Sequence, residues 1–153
     1  MTLDVVDRLA LSDLVHRYAA GMDDRRFEEV VALFAIDATL SLPEPPRSLE
    51  ATAVHRGLAE IERAIGAVAA AVRTHHAVVG EVYTAEPGGA RGRISCIAHH
   101  WMRRDDEVTD VVWHLRYDDE YVRTETGWRF RGRTLTIDAI ETRPVRRLRP
   151  RGS

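Results

Sequence analysis

From residue 74 onward the apolar residues recur at every second position, in four long runs at 74–85, 90–103, 108–124 and 127–141. A period of two belongs to strands with one buried face, because successive side chains leave a pleated backbone on opposite sides. Only Pro87-Gly88-Gly89, Arg104-Asp105-Asp106-Glu107 and Thr124-Glu125-Thr126-Gly127 separate the runs, and each is a short turn-forming segment. A parallel crossover needs a dozen residues or more, so these strands must form an antiparallel meander.

The first 72 residues keep a different rhythm. Leu11, Leu14, Val15, Tyr18 and Met22 follow i, i+3, i+4, i+7 and i+11, one face of a helix. Asp4 is its expected N-cap and Gly21 its terminator. Phe27, Val30, Val31 and Phe34 predict a shorter second helix capped by Asp24. Residues 38–42 read as a short strand. Residues 43–55 show no periodicity and hold Pro43, Pro45 and Pro46, which predicts a loop long enough to act as a lid. Leu58, Ile61, Ile65, Val68 and Val72 then predict a third helix of about four turns. Three helices in the N-terminal half, followed by one curved antiparallel sheet, make an α+β layout. It forms one domain over residues 1–142, without internal repeats.

Charge and composition exclude several functions. All 22 basic residues are arginine, so no lysine Schiff base or lysine general base is available. The lone Cys96 excludes an intrachain disulfide and a multi-cysteine zinc site. No apolar run approaches the roughly 18 residues of a membrane span, and residues 1–7 lack a basic leader region; a cytoplasmic protein is expected. Five arginines and no acid fall in residues 143–153, leaving 17 arginines against 24 acids in the rest. The tail is expected to be a disordered, solvated end, and the acidic body argues against a nucleic-acid partner.

Within this frame a few polar residues stand on faces that should be buried. Tyr18 lies on the apolar face of the first helix, either as a packed tyrosine or as a hydrogen-bond donor to a substrate oxygen. Asp23, five residues on, either caps the second helix or shares Tyr18's site. Two histidine pairs, His75-His76 and His99-His100, should each send one ring to either face of a strand. In the second pair His100 shares its face with Ala90, Gly92, Ile94, Cys96 and Ala98, so His100 is interior and His99 exterior. Around the first pair both faces are mixed, and the pattern alone does not choose. On the next strand Trp113, Tyr117 and Asp119 share a face. The two rings would suit a flat substrate, and Asp119 is a second candidate acid or base. No glycine-rich phosphate loop and no serine- or cysteine-centred nucleophile motif occurs. No His-x-Asp/Glu ligand spacing flanks the candidate histidines, so no metal is expected.

The order of elements, with Asp-Asp-Arg-Arg-Phe and Leu-Phe-Ala-Ile-Asp-Ala within 23–38 and Gly-Trp-Arg-Phe-Arg-Gly-Arg at 127–133, resembles the SnoaL-like branch of the nuclear-transport-factor-2-like superfamily. The resemblance covers nearly the whole chain. It implies a cystatin-like α+β barrel, a cone-shaped sheet with helices packed over it and a pocket inside. His76-Ala77-Val78-Val79-Gly80 is similar to the strand carrying the catalytic histidine of scytalone dehydratases. The tyrosine–aspartate spacing is similar to that of bile-acid dehydratases. Carried across, the resemblance implies a dehydration site of Tyr18, Asp23, His76 and His100. The polar pair used late in the scytalone site would fall near Asp119 and Tyr121, whose chemistry differs.

The resulting expectation is a cofactor-independent lyase or isomerase acting on a hydrophobic cyclic or polyketide-like hydroxy-ketone, first of all a dehydratase. A polyketide cyclase using the same enolate is the enzymatic alternative. A non-catalytic small-molecule-binding or assembly domain is the alternative of another class, in which His76 and His100 are merely satisfied interior histidines. Ile97, Trp101 and Val112 on the outer sheet face suit a homodimer or higher oligomer.

Overall fold

A computed structural model describes residues 2–151. The chain begins with helices α1 (Val5–Asp23) and α2 (Phe27–Val31), followed by strands β1 (Phe34–Glu44) and β2 (Ser48–Arg56). Helix α3 (Gly57–Gly66) and a 3-10 turn (Ala67–Ala70) lead into β3 (Arg73–Glu86), β4 (Gly89–Arg104), β5 (Glu107–Thr124) and β6 (Gly127–Pro144). The expected four-strand meander is present, with every strand within three residues of its predicted limits. One sheet of order β2-β1-β6-β5-β4-β3 carries all six strands and remains open at β2 and β3. The helices cover its concave face, and the core lies between them, centred on Leu11, Val15, Leu40, Ile61, Ile94 and Phe130. Among the described residues no helix is long and apolar enough to cross a membrane.

The N-terminal half departs from expectation where tertiary contacts outweigh local pattern. Helix α1 does not stop at Gly21 but runs on to Asp23. Gly21 is instead a point of close approach, since a Cβ there would sit 2.5 Å from Val30 Cγ2. Asp24 does not cap α2; Arg26 holds the N-cap position without a side-chain bond, and Asp24 pairs with Arg26 at 3.1 Å. Phe34 leaves the second helix and opens β1, because the Phe130 N–H donates to the Leu33 carbonyl at 2.9 Å and draws the chain onto β6. That β1–β6 pairing is parallel, the one departure from an antiparallel sheet.

The expected lid at 43–55 is a β-hairpin of β1 and β2, with register shifts around Pro43. Its amphipathic signal is weak because β2 is an edge strand. Leu49 and Val54 face solvent, while the half-buried inward positions include Ala51 and Ala53. Helix α3 ends at Gly66, and Val72 lies outside it, donating its N–H to the Trp101 carbonyl. Strand β6 continues through Pro144, into the segment expected to be a tail; Gly152 and Ser153 of that segment lie outside the described residues.

Two of the sheet's bulges decide which residues near the cavity face the core. On β3, Val79 has no partner between the Val78–Cys96 and Gly80–Ser95 pairs. On β6, Arg131 is the extra residue between Phe130–Tyr121 and Gly132–Glu120. An extra residue inverts the in-out parity downstream. Trp128 and Phe130 are therefore buried before the bulge at Arg131, and Arg133, Leu135 and Ile137 after it.

Candidate active site

The last turn of α1 and the start of β3 meet at one end of the cone. Asp23, at the C-terminus of α1, accepts the His76 backbone N–H at 2.9 Å and lies 2.7 Å from His76 Nδ1. Thr74 Oγ1 donates to the same carboxylate at 3.0 Å. The alternation of β3 sends His76 inward, its side chain 7% exposed, and His75 outward at 61%. The fold thus decides which ring of the first pair faces inward, and the mixed pattern there comes from the Val79 bulge, which mixes the faces.

Burial by itself would raise the Asp23 pKa, but the bonds from His76 and Thr74 outweigh it and hold the carboxyl below its ordinary value. A carboxylate only accepts hydrogen bonds, so Nδ1 of His76 must carry the proton. In the neutral ring Nε2 is then the free lone pair, on a residue that lines the cavity.

Asp23, with its depressed pKa, links stability to pH. Its contribution to stability is fully present above the unfolded carboxylate value of about 4 and is lost as pH falls through the lower folded value. The stability difference between wild type and Asp23→Asn, measured by urea unfolding, should be constant near pH 6 and shrink below about pH 4. A difference that grows on acidification would contradict the pairing.

His100 enters from β4, where Ile94, Cys96 and Ala98 share its buried face as expected. Its Nδ1 lies 2.9 Å from the Val111 carbonyl oxygen. A carbonyl also only accepts, so His100 too exposes an unprotonated Nε2. Burial lowers its pKa, which keeps this ring neutral. The His76 and His100 rings stand edge to face with centroids 6.2 Å apart, and Trp113 packs on His100 at 4.6 Å. His99 turns to the outer face, as expected, 2.6 Å from Asp110.

Between sheet and helices lies a cavity of about 420 Å³, within the range of small-molecule sites. Tyr18, His76, His100, Trp113 and Tyr117 line it, and the rest of the wall is almost wholly apolar, contributed by α1, α3, the 3-10 turn and strands β1, β4, β5 and β6. Tyr18 is 4% exposed. Among the described residues no acceptor is hydrogen-bonded to its hydroxyl. Burial raises its pKa, against the opposing charge of Arg133, so the phenol remains a neutral donor.

Six of the seven residues singled out from the sequence thus meet at or directly behind one cavity. Asp119 does not. Arg133 holds it in two bonds of 2.8 and 3.0 Å, and the Tyr121 hydroxyl adds a third at 2.7 Å. The carboxylate is fully buried and faces Arg133 instead of a guest molecule. Arg133 stacks on Tyr117, Tyr18 and Phe130 at 3.7, 4.3 and 4.5 Å, forming a charged layer behind the tyrosines. An unbroken period of two would put Arg133 on the outer face with Arg129 and Arg131; the bulge at Arg131 reverses it. Thr74 and Arg25 were also not singled out, although Thr74 shares its face of β3 with His76.

Residues 4–134 match the SnoaL-like domain family. Among solved structures, the Kfla4162 protein of Kribbella flavida is 25% identical, with a TM-score of 0.77 over 89% of this chain and 93% of that one. A candidate scytalone dehydratase from Novosphingobium aromaticivorans is 22% identical, with a TM-score of 0.77 over 97% and 95%. A type 2 hexachlorocyclohexane dehydrochlorinase shares the fold at 15% identity, with a TM-score of 0.78 over 97% of both chains. No curated protein matches the sequence.

Proposed function

This chain belongs to the SnoaL-like domain family, and we propose that it is a cofactor-independent lyase or isomerase, foremost a dehydratase of a hydrophobic cyclic or polyketide-like hydroxy-ketone. The observation that carries this reading is the Asp23–His76 pair, bonded at 2.7 Å, with Nε2 left to an apolar cavity.

Loss of water from a β-hydroxy ketone requires a base for the α-proton, a donor for the carbonyl oxygen, and an acid for the departing hydroxide. His76 Nε2 takes the proton, and the imidazolium so formed is stabilised by Asp23. Tyr18 donates to the carbonyl oxygen as enolate charge develops. The enolate collapses to the conjugated enone, the bond from the β-carbon to oxygen breaks, and His76 returns its proton to the leaving oxygen as water. His100, kept neutral by burial, accepts a hydrogen bond from the substrate hydroxyl and aligns it. Every proton is returned, so the cycle closes without an external reagent. The apolar wall favours a neutral ring system, and Trp113 and Tyr117 provide flat surfaces for it.

The test is a panel of fused-ring β-hydroxy ketones incubated in D₂O, followed by enone absorbance and mass. Dehydration should appear as loss of one water together with α-deuterium in recovered substrate. Ring closure without loss of water would favour the cyclase. Tight binding without exchange or product across the panel would favour a binding module and overturn the reading.

A further inference from the structure

Behind Asp23 the hydrogen bonds continue, and their direction is set at the far end. Arg25 Nη1 lies 2.8 Å from Thr74 Oγ1, and Thr74 Oγ1 lies 3.0 Å from Asp23 Oδ1. A guanidinium has donors only, so the Thr74 oxygen must accept from Arg25. Its single hydroxyl proton is then committed to Asp23, and this bond fixes the orientation of the carboxylate, which accepts from His76 Nδ1 at 2.7 Å. We propose that Arg25 and Thr74 are positioning residues that keep His76 in one tautomer by holding the Asp23 carboxylate in place beside Nδ1. The inference rests on the function proposed above and extends it, because a base at Nε2 is useful only while Nδ1 keeps the proton.

Two further features fit the assignment. Arg25 has φ of 61°, a left-handed conformation that side-chain residues rarely adopt and that gathers at functional sites. The same guanidinium donates to the Met22 carbonyl at 2.9 Å and the Ala71 carbonyl at 3.1 Å. It thus ties the end of α1 to the segment that lines the cavity beside His76. Thr74 is 6% exposed, so water does not readily replace its hydroxyl. Neither side chain lines the cavity, and their influence on a guest molecule would run through Asp23 and His76.

The experiment reads the tautomer directly, by ¹⁵N chemical shifts of the histidine rings in the intact protein, with no substrate present. Wild type should show neutral His76 as a single Nδ1–H form. Thr74→Val keeps the shape but removes the hydroxyl, and Arg25→Gly removes the guanidinium at a φ that glycine accepts. Both should give mixed tautomers, and Thr74→Ser should restore the single form. With a turnover substrate, Thr74→Val should lower kcat by roughly 10-fold to 100-fold with KM nearly unchanged. A purely structural role would instead lower the unfolding temperature and leave the tautomer intact. A wild-type tautomer in both Thr74→Val and Arg25→Gly overturns the proposal. Asp23→Asn separates the two readings. If it alone scrambles the tautomer, the Asp23–His76 pair stands and the relay falls. If none of the variants does, both lose their basis.

Discussion

Replacing His76 by alanine is expected to lower kcat roughly a thousandfold, within the range that a positioned general base contributes. The site has no second group placed to take over. His100 presents a lone pair, but its Nδ1 faces a neutral carbonyl at 2.9 Å and its pKa is lowered by burial, so an imidazolium there lacks the carboxylate that stabilises one at His76. The fold should survive the substitution. Asp23 would keep the His76→Ala backbone N–H and the Thr74 hydroxyl as donors, and β3 would keep its pairing with β4. His100→Gln should cost less than His76→Ala, since an amide oxygen can still accept from the substrate. Turnover of a fused-ring hydroxy-ketone by each variant, with thermal unfolding as the control for folding, checks the order. Near-normal kcat in a folded His76→Ala protein would remove the mechanism.

The largest effect on stability is expected from Asp119→Ala. Arg133 is 1% exposed, and Asp119 is its ionic partner. Burial works against the guanidinium charge, but Asp119 outweighs it and keeps Arg133 protonated. Removing the carboxylate leaves a cation inside the core, and the Tyr121 hydroxyl loses its acceptor. Breaking a buried pair from one side costs about 3–5 kcal/mol. For a chain of this length that lowers Tm by roughly 10–15 °C. The ring faces of Tyr18, Tyr117 and Phe130 offset part of this loss. The paired variant Asp119→Leu with Arg133→Met should recover much of it, because two apolar groups leave no buried charge. Calorimetry on the single and paired variants gives the comparison, and a single variant as stable as wild type would mean that the pair contributes nothing.

The same two residues mark where sequence reading ends. Asp119 was visible as a carboxylate on an aromatic face, and that placement is correct. Its partner was not visible, because Arg133 shares its parity with Arg129 and Arg131 and turns inward only after the bulge at Arg131. A candidate acid or base thereby becomes half of a structural ion pair. The lid expected at 43–55 failed for a related reason. An edge strand whose half-buried inward positions include two alanines, Ala51 and Ala53, lacks the alternation that announces a strand.

What the chain's own pattern determined is everything that depends on local periodicity: the helix bearing Tyr18, the four-strand meander, the inward face of β4 with His100, and the opposite facing of adjacent histidines. These follow from backbone geometry and need no distant partner. The tertiary structure alone decided which histidine of the first pair faces inward, which carboxylate is free for chemistry, and which groups stand behind it. Those outcomes depend on bulges and on contacts between residues some fifty positions apart, as Asp23 and His76 are. A one-residue change in register reverses a face, and no local signal in the sequence records it.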